Sequence, residues 1–228
     1  MSPAALAQPS ATEKTLPLLE VWMMTFGPGE PVFLKFGHNA LLVRGRDPQS
    51  GAPVFERVYD YGLFDGSSPT LVADFLQGRM RYWVGVTSLD RTMRRYQATN
   101  RDVSAQKLRL SQDDAEALLR KLEDNIKQEN RYYRYDYYYD NCSTRVRDVL
   151  DDITEGAVRK AFLGDAKMTL RGHTLRHTSS DWLYYLGLDV GLADVDRPID
   201  LWVESFLPQN FREGLRKVQV TVDGASVP

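Results

Sequence analysis

Tyr137-Tyr138-Tyr139-Asp140-Asn141-Cys142-Ser143-Thr144-Arg145-Val146 sets the only cysteine of the chain where a helix begins. From Asn141 onward, Cys142, Val146, Val149, Leu150 and Ile153 recur on one helical face, while Arg145, Arg147, Asp148, Asp151 and Asp152 mostly fall elsewhere. Asp140 or Asn141 serves as N-cap. A thiol in the first turn meets unpaired backbone N–H groups and the positive end of the helix dipole, both of which favour thiolate over thiol. Arg145, one turn on, adds to this effect. A lone cysteine is more often a small buried hydrophobe, but this setting marks Cys142 as a nucleophile.

Working back from the cysteine, Tyr132 to Tyr139 holds six of the twelve tyrosines. Tyrosine combines apolar area with a polar rim, so the stretch suits a groove for an acyl chain or an extended peptide. An extended segment using the same rings as amphipathic core and surface is the alternative. Before it, Ser111-Gln112-Asp113-Asp114 starts a scaffold helix whose inward residues are Ala115, Leu118, Leu119, Leu122 and Ile126.

A candidate base lies much earlier. Leu16 to Met24 reads as a buried strand, Phe33 to Arg44 as a second strand carrying His38, and Val54 to Tyr61 as a third. Asp47-Pro48-Gln49-Ser50-Gly51 is rich in turn formers, so the second and third strands form a hairpin. If its centre is Gln49, Ala40 faces Val58 and His38 faces Asp60, which sets a carboxylate beside the imidazole. A slip of one residue brings Tyr59 or Tyr61 opposite His38 instead.

The remaining segments offer less chemistry. Thr70 to Gln77 reads as a short helix, and Arg79 to Val86 as a strand whose Arg79 and Arg81 are either solvated or set to meet an anionic head group. Asp90 to Asn100 is helical with Met93 and Tyr96 inward, and Val103 to Leu110 alternates as a strand. His173 and His177, four apart, have metal-ligand spacing, yet no carboxylate or cysteine accompanies them at ligand spacing, so they read as core or surface residues. Asp181 to Leu188 reads as a helix or a strand packing through Trp182, Tyr184, Tyr185 and Leu186. Leu201 to Leu207 reads as a short helix ending before Pro208, and the valines after Lys217 as a strand or tail.

With 228 residues the chain suits one medium-sized domain. Lys and Arg total 29 against 31 Asp and Glu, and the net charge of -2 lacks the basic surface that nucleic acid demands, so nucleic acid is set aside as a partner. One cysteine excludes an internal disulfide and leaves a free thiol. No run approaches the ~20 apolar residues of a membrane span. The Ala-, Ser- and Pro-rich start reads as a flexible lead, and Ala5-Leu6-Ala7 before Gln8 has the form of a signal-peptidase site, or is simple linker.

Three blocks carry a resemblance: Phe36-Gly37-His38-Asn39-Ala40-Leu41, Val58-Tyr59-Asp60-Tyr61-Gly62-Leu63-Phe64, and Tyr135 to Arg145. Together they resemble the motif series of the Lnb-type lipoprotein N-acyltransferase N-terminal domain family. Their order, a histidine strand, a polar residue on the next strand and a later cysteine at a helix start, is similar to the permuted branch of the NlpC-type, papain-like thiol enzymes, of which lecithin–retinol acyltransferase is a member. The resemblance runs from about Leu18 to Phe211 and departs from the family pattern at Asp60, where Asn is the more frequent residue.

The resemblance implies an α+β fold: a permuted papain-like (NlpC-type) core, the cysteine helix packed on an antiparallel sheet, and extra helices. Residues 1–14 would be a flexible lead, 15–217 a single domain and 218–228 a tail. Cys142, His38 and Asp60 would be catalytic, with Tyr135, Tyr138, Tyr139, Asn141, Arg145 and Arg79 contacting substrate, and with no metal or cofactor. A phospholipid or diacylglyceryl lipid would donate an acyl group to Cys142, and the N-terminal cysteine of a bacterial lipoprotein would receive it, at a membrane surface in the periplasm. A cysteine peptidase or amidase, in which water resolves the thioester, and a non-catalytic lipid- or peptide-binding module are the alternatives.

Overall fold

The strand Leu18–Phe26 (β1) is apolar on both of its sides because helices cover both faces of the sheet it belongs to. Leu19, Val21 and Met23 point to one face, Met24 and Phe26 to the other. The computed structural model describes residues 16–30, 34–67, 81–179, 196–222 and 225–227. The expected lead, the Thr70 to Gln77 helix, Arg79 and the Asp181 to Leu188 segment lie outside the described residues.

With β1, the strands His38–Arg46 (β2), Pro53–Phe64 (β3), Arg81–Thr87 (β4), Val103–Leu108 (β5) and Tyr132–Arg134 (β6) form an antiparallel sheet of order β5-β1-β2-β3-β4-β6. Leu89–Ala98 (α1) covers one face, placing Tyr96 against Met24, Phe26, Ala40, Leu42 and Val58. The other face carries the main core. There Gln112–Asn125 (α2) buries Ala115, Leu118 and Leu122, and Cys142–Ile153 (α3) buries Val146, Val149 and Leu150. Each such leucine or valine contributes about 1.5–3 kcal/mol on burial. Ala157–Ala161 (α4), Leu170–Thr178 (α5), Leu201–Glu204 (α6) and Pro208–Leu215 (α7) follow, then a small hairpin of Val220–Val222 (β7) and Ala225–Val227 (β8).

The α+β class and the cysteine helix on an antiparallel sheet are therefore observed, while several local expectations are corrected. The second strand starts at His38, not Phe33, because Gly37 adopts φ +81° and its N–H closes a turn onto Leu34 O at 3.1 Å. The expected short helix before Pro208 is present but ends at Glu204, and Pro208 itself opens α7 at its first turn, since its fixed φ and missing N–H suit that position. The β2–β3 register pairs Ala40 with Asp60, two residues from the expected Ala40–Val58 pairing. Asp47 Oδ1 accepts from the amides of Gln49 and Ser50, which moves the turn centre past Gln49, and an irregularity at Gly45/Arg46 shifts the register further. A shift of two keeps every side chain on its face, so His38 and Asp60 remain neighbours, now diagonal.

Candidate active site

His38 is held at the first residue of β2, opposite Phe26 of β1, whose ring stacks on the imidazole at 5.8 Å. Its Nε2 lies 2.8 Å from Asp60 Oδ1. That same carboxylate oxygen accepts the Gly62 amide at 2.8 Å. Burial of the ring disfavours its charged form, but the charges of Asp60 and of a Cys142 thiolate outweigh burial and hold His38 well above the ordinary 6.5. Burial likewise pushes Asp60 up, yet His38, the Gly62 amide and Arg95 together hold it below 3.8.

The pair sets a pH window for stability. The share from His38 is complete below about 6.5 and is lost as pH rises through the raised value; the share from Asp60 is complete above about 3.9 and is lost as pH falls through the lowered one. Asp60→Asn should cost about 1–3 kcal/mol inside this window. Thermal melts across pH should show the gap from wild type closing on both sides.

Gly62 makes room for the ring. A β-carbon there would lie 2.4 Å from Cε1 and 3.0 Å from Nδ1 of His38. Gly62→Ala should tilt the imidazole off Asp60 and slow alkylation of Cys142 near neutral pH by roughly 10²-fold, as for other sub-ångström to ångström misplacements. Rate constants with a small alkylator at pH 7 would measure this.

The cysteine is positioned by a closed capping network. Asn141 is the N-cap: its Oδ1 accepts the amides of Ser143 and Thr144 at 2.7 and 2.9 Å, and Thr144 Oγ1 accepts the Asn141 amide at 2.8 Å. Asn141 Nδ2 donates to Tyr137 O and Phe206 O. Asn39, next to His38 and fully buried, donates from Nδ2 to Ser143 Oγ at 3.1 Å, and Ser143 Oγ donates to Ser205 O. One hydrogen bond thus ties the neighbour of His38 to the neighbour of Cys142. Two of the helix-start amides are consumed by Asn141, whereas the Cys142 amide has no partner among the described residues.

His38, Asp60 and Cys142 line one cleft of about 660 Å³, mouth included. Aromatic residues make half of its remaining lining, among them Phe36, Tyr82, Tyr96, Tyr135, Tyr137 and Phe206, with Arg95 and Arg101 as cations. Tyr82 and Tyr135 stack at 4.0 Å. Burial raises the phenols of Tyr135 and Tyr137 well above 10 and keeps them neutral.

Not every residue read from the sequence reaches the cleft. Tyr135 and Asn141 do, although the side chain of Asn141 spends its donors and acceptor on the helix start. Asp136 Oδ1 accepts the amides of Tyr138 and Tyr139, a turn that sends Tyr138 into the core against Thr174 and leaves Tyr139 exposed. Arg145 turns away from the thiol: it pairs in bidentate fashion with Asp140, stacks over Tyr133 at 4.2 Å and borders a separate surface cleft with Tyr139. Arg79 lies outside the described residues. His173 is buried and bonds Glu204 at 2.8 Å, and His177 packs on Phe36. The sequence reading missed Arg95 and Arg101, for which it holds no signal, and placed Tyr96 only in the core.

The fold and the cleft define an α+β domain in which a histidine–aspartate pair on adjacent strands faces a cysteine at the start of a buried helix. Residues 12–175 match the family described as the Lnb N-terminal periplasmic domain, and the chain belongs to that family. It is thus a periplasmic domain of a bacterial, lipoprotein-related family. No curated protein and no solved structure matches it. Among the described residues, no helix is long and apolar enough to cross a membrane.

Proposed function

We propose that this domain is a thiol-dependent acyltransferase that forms an acyl-thioester on Cys142 and passes the acyl group to an amine. The observation that carries this reading is the sharing of one aromatic-walled cleft by Cys142 and the buried His38–Asp60 pair. The chain order of histidine, polar partner and cysteine also supports a permuted papain-like relationship.

In this mechanism Asp60 holds His38 through Nε2, leaving Nδ1 to take the thiol proton. The Cys142 thiolate attacks an ester carbonyl, and the free Cys142 amide donates to the developing oxyanion. The C–O bond breaks, His38 returns its proton to the leaving alkoxide, and the acyl group remains on sulfur. An amine then attacks the thioester, loses its proton to His38 and displaces the thiolate, which regains that proton from His38. A phospholipid or diacylglyceryl lipid is the donor in this reading, and the N-terminal cysteine of a lipoprotein at the membrane surface is the acceptor.

The test is incubation of the protein with phospholipid and a diacylated lipopeptide bearing a free N-terminal cysteine. Mass spectrometry should show a lipopeptide gaining one amide-linked acyl chain. Release of free fatty acid with an unchanged lipopeptide would instead establish a hydrolase.

A further inference from the structure

Two arginines on the cleft wall take no proton and hold no reacting atom in the steps above, although the charge of Arg95 helps keep Asp60 ionised. Arg95 lies in the last turn of α1, and Arg101 follows where Asn100 reverses the chain at φ +48°. Both line the cleft with Cys142. Their guanidinium groups flank the same ring, Tyr96, at 5.9 and 4.8 Å. Arg101 is anchored by Nε, which donates to Gly27 O at 2.8 Å, while its Nη2 is buried without an acceptor. A buried cationic donor left without an acceptor is costly, and an anionic oxygen is the group that satisfies it best.

Several other arginines are neutralised by a carboxylate. Arg44, Arg57, Arg145 and Arg147 each meet a carboxylate, whereas among the described residues neither Arg95 nor Arg101 forms an ion pair. The carboxylate on the described cleft wall is Asp60, already engaged by His38 and the Gly62 amide. The wall therefore keeps cationic charge facing the space beside the thiol, in the planar, forked form that suits phosphate.

We propose that Arg95 and Arg101 form a phosphate subsite that holds the headgroup phosphodiester of a glycerophospholipid while its acyl ester lies at Cys142; this rests on the acyl-transfer reading above. In such a lipid only the glycerol carbons separate phosphate from ester, so one molecule spans both ends of a single cleft. The subsite selects phospholipid over an uncharged diacylglycerol with the same chains. Free inorganic phosphate presents the same oxygens and competes for the arginines.

The experiment has two arms. In the first, short-chain phosphatidylglycerol and inorganic phosphate are titrated separately into Cys142→Ser protein, with and without Arg101→Gln or Arg95→Gln. Either substitution should weaken phosphatidylglycerol binding about tenfold or more, the loss of a charged hydrogen bond. Arg95 is exposed on its helix, so Arg95→Gln reports even if Arg101→Gln fails to fold. In the second arm, acyl-thioester formation on Cys142 is timed with phosphatidylglycerol and with the matching diacylglycerol. The wild type should prefer phosphatidylglycerol about tenfold, and each variant should lose that preference.

Binding of phosphatidylglycerol unchanged by both substitutions would overturn the subsite, as would arginine-dependent binding of inorganic phosphate alone. Equal loss with both donors would overturn it too, by marking the arginines as structural. Arginine-dependent phosphatidylglycerol binding without any acyl-thioester would uphold the subsite and defeat the acyl-transfer reading instead.

Discussion

Cys142→Ser should abolish the proposed acyl-thioester formation and lower acyl transfer by about 10³-fold or more, with a change in stability under about 1 kcal/mol. The stability side follows from the setting. Cys142 is 8 % exposed at the first residue of α3, and serine is close in size and suits a helix start. The catalytic side follows from chemistry, since a hydroxyl is far harder to ionise than a thiol and in the proposed mechanism His38 takes a thiol proton. Initial rates with a lipopeptide acceptor, beside a thermal melt of each protein, measure both effects. Retained activity would make Cys142 the small buried hydrophobe that a lone cysteine usually is.

Asn141→Ala is the second large effect, and it acts on the fold before the chemistry. The substitution strips the N-cap from Ser143 and Thr144 and leaves Tyr137 O and Phe206 O without their side-chain donor, all in a site 5 % exposed. Loss of a cap costs about 1 kcal/mol, and each buried group left unsatisfied adds about 1 kcal/mol or more, so the sum is about 3 kcal/mol. For a chain of this length, that lowers the melting temperature by roughly 6–12 °C. Asn141→Asp keeps the acceptor and loses the two donated bonds, so its melt should fall between alanine and wild type. A melt for Asn141→Ala within a degree of wild type would show that water replaces the cap without penalty.

The helix start was readable because it is local. Asp140-Asn141-Cys142 carries the cap, and the apolar spacing after it gives the buried face, so Val146, Val149 and Leu150 were placed correctly. Arg147 was not: its guanidinium is buried over Trp202 and donates to Trp202 O, a partner 55 residues away that no helical period reveals. The pairing of His38 with Asp60 was legible for a similar reason of symmetry. Strand alternation has period two, so the face survived a register error of two residues that arose from the displaced turn centre together with the irregularity at Gly45/Arg46.

The cleft wall was much less legible. Composition pointed to the tyrosine run, but one aspartate turn at Asp136 decides which rings enter, and it sends Tyr135 and Tyr137 to the cleft and Tyr138 and Tyr139 elsewhere. Arg145 stands one turn from the thiol in sequence, yet Asp140 claims it. Arg95 and Arg101 owe their place to how the end of α1 docks over the sheet, a tertiary fact with no local signature. Long-range docking, rather than local propensity, thus chose most of the residues that surround the cysteine.

The most direct measurement of the central claim is the intact mass of the protein after incubation with mixed phospholipids, beside Cys142→Ser. Acyl transfer through Cys142 requires one added acyl mass in the wild type alone, removed by hydroxylamine as a thioester is. A Cys142 that an ordinary alkylator modifies readily, but that takes no acyl mass from phospholipid or lipopeptide donors, would contradict it.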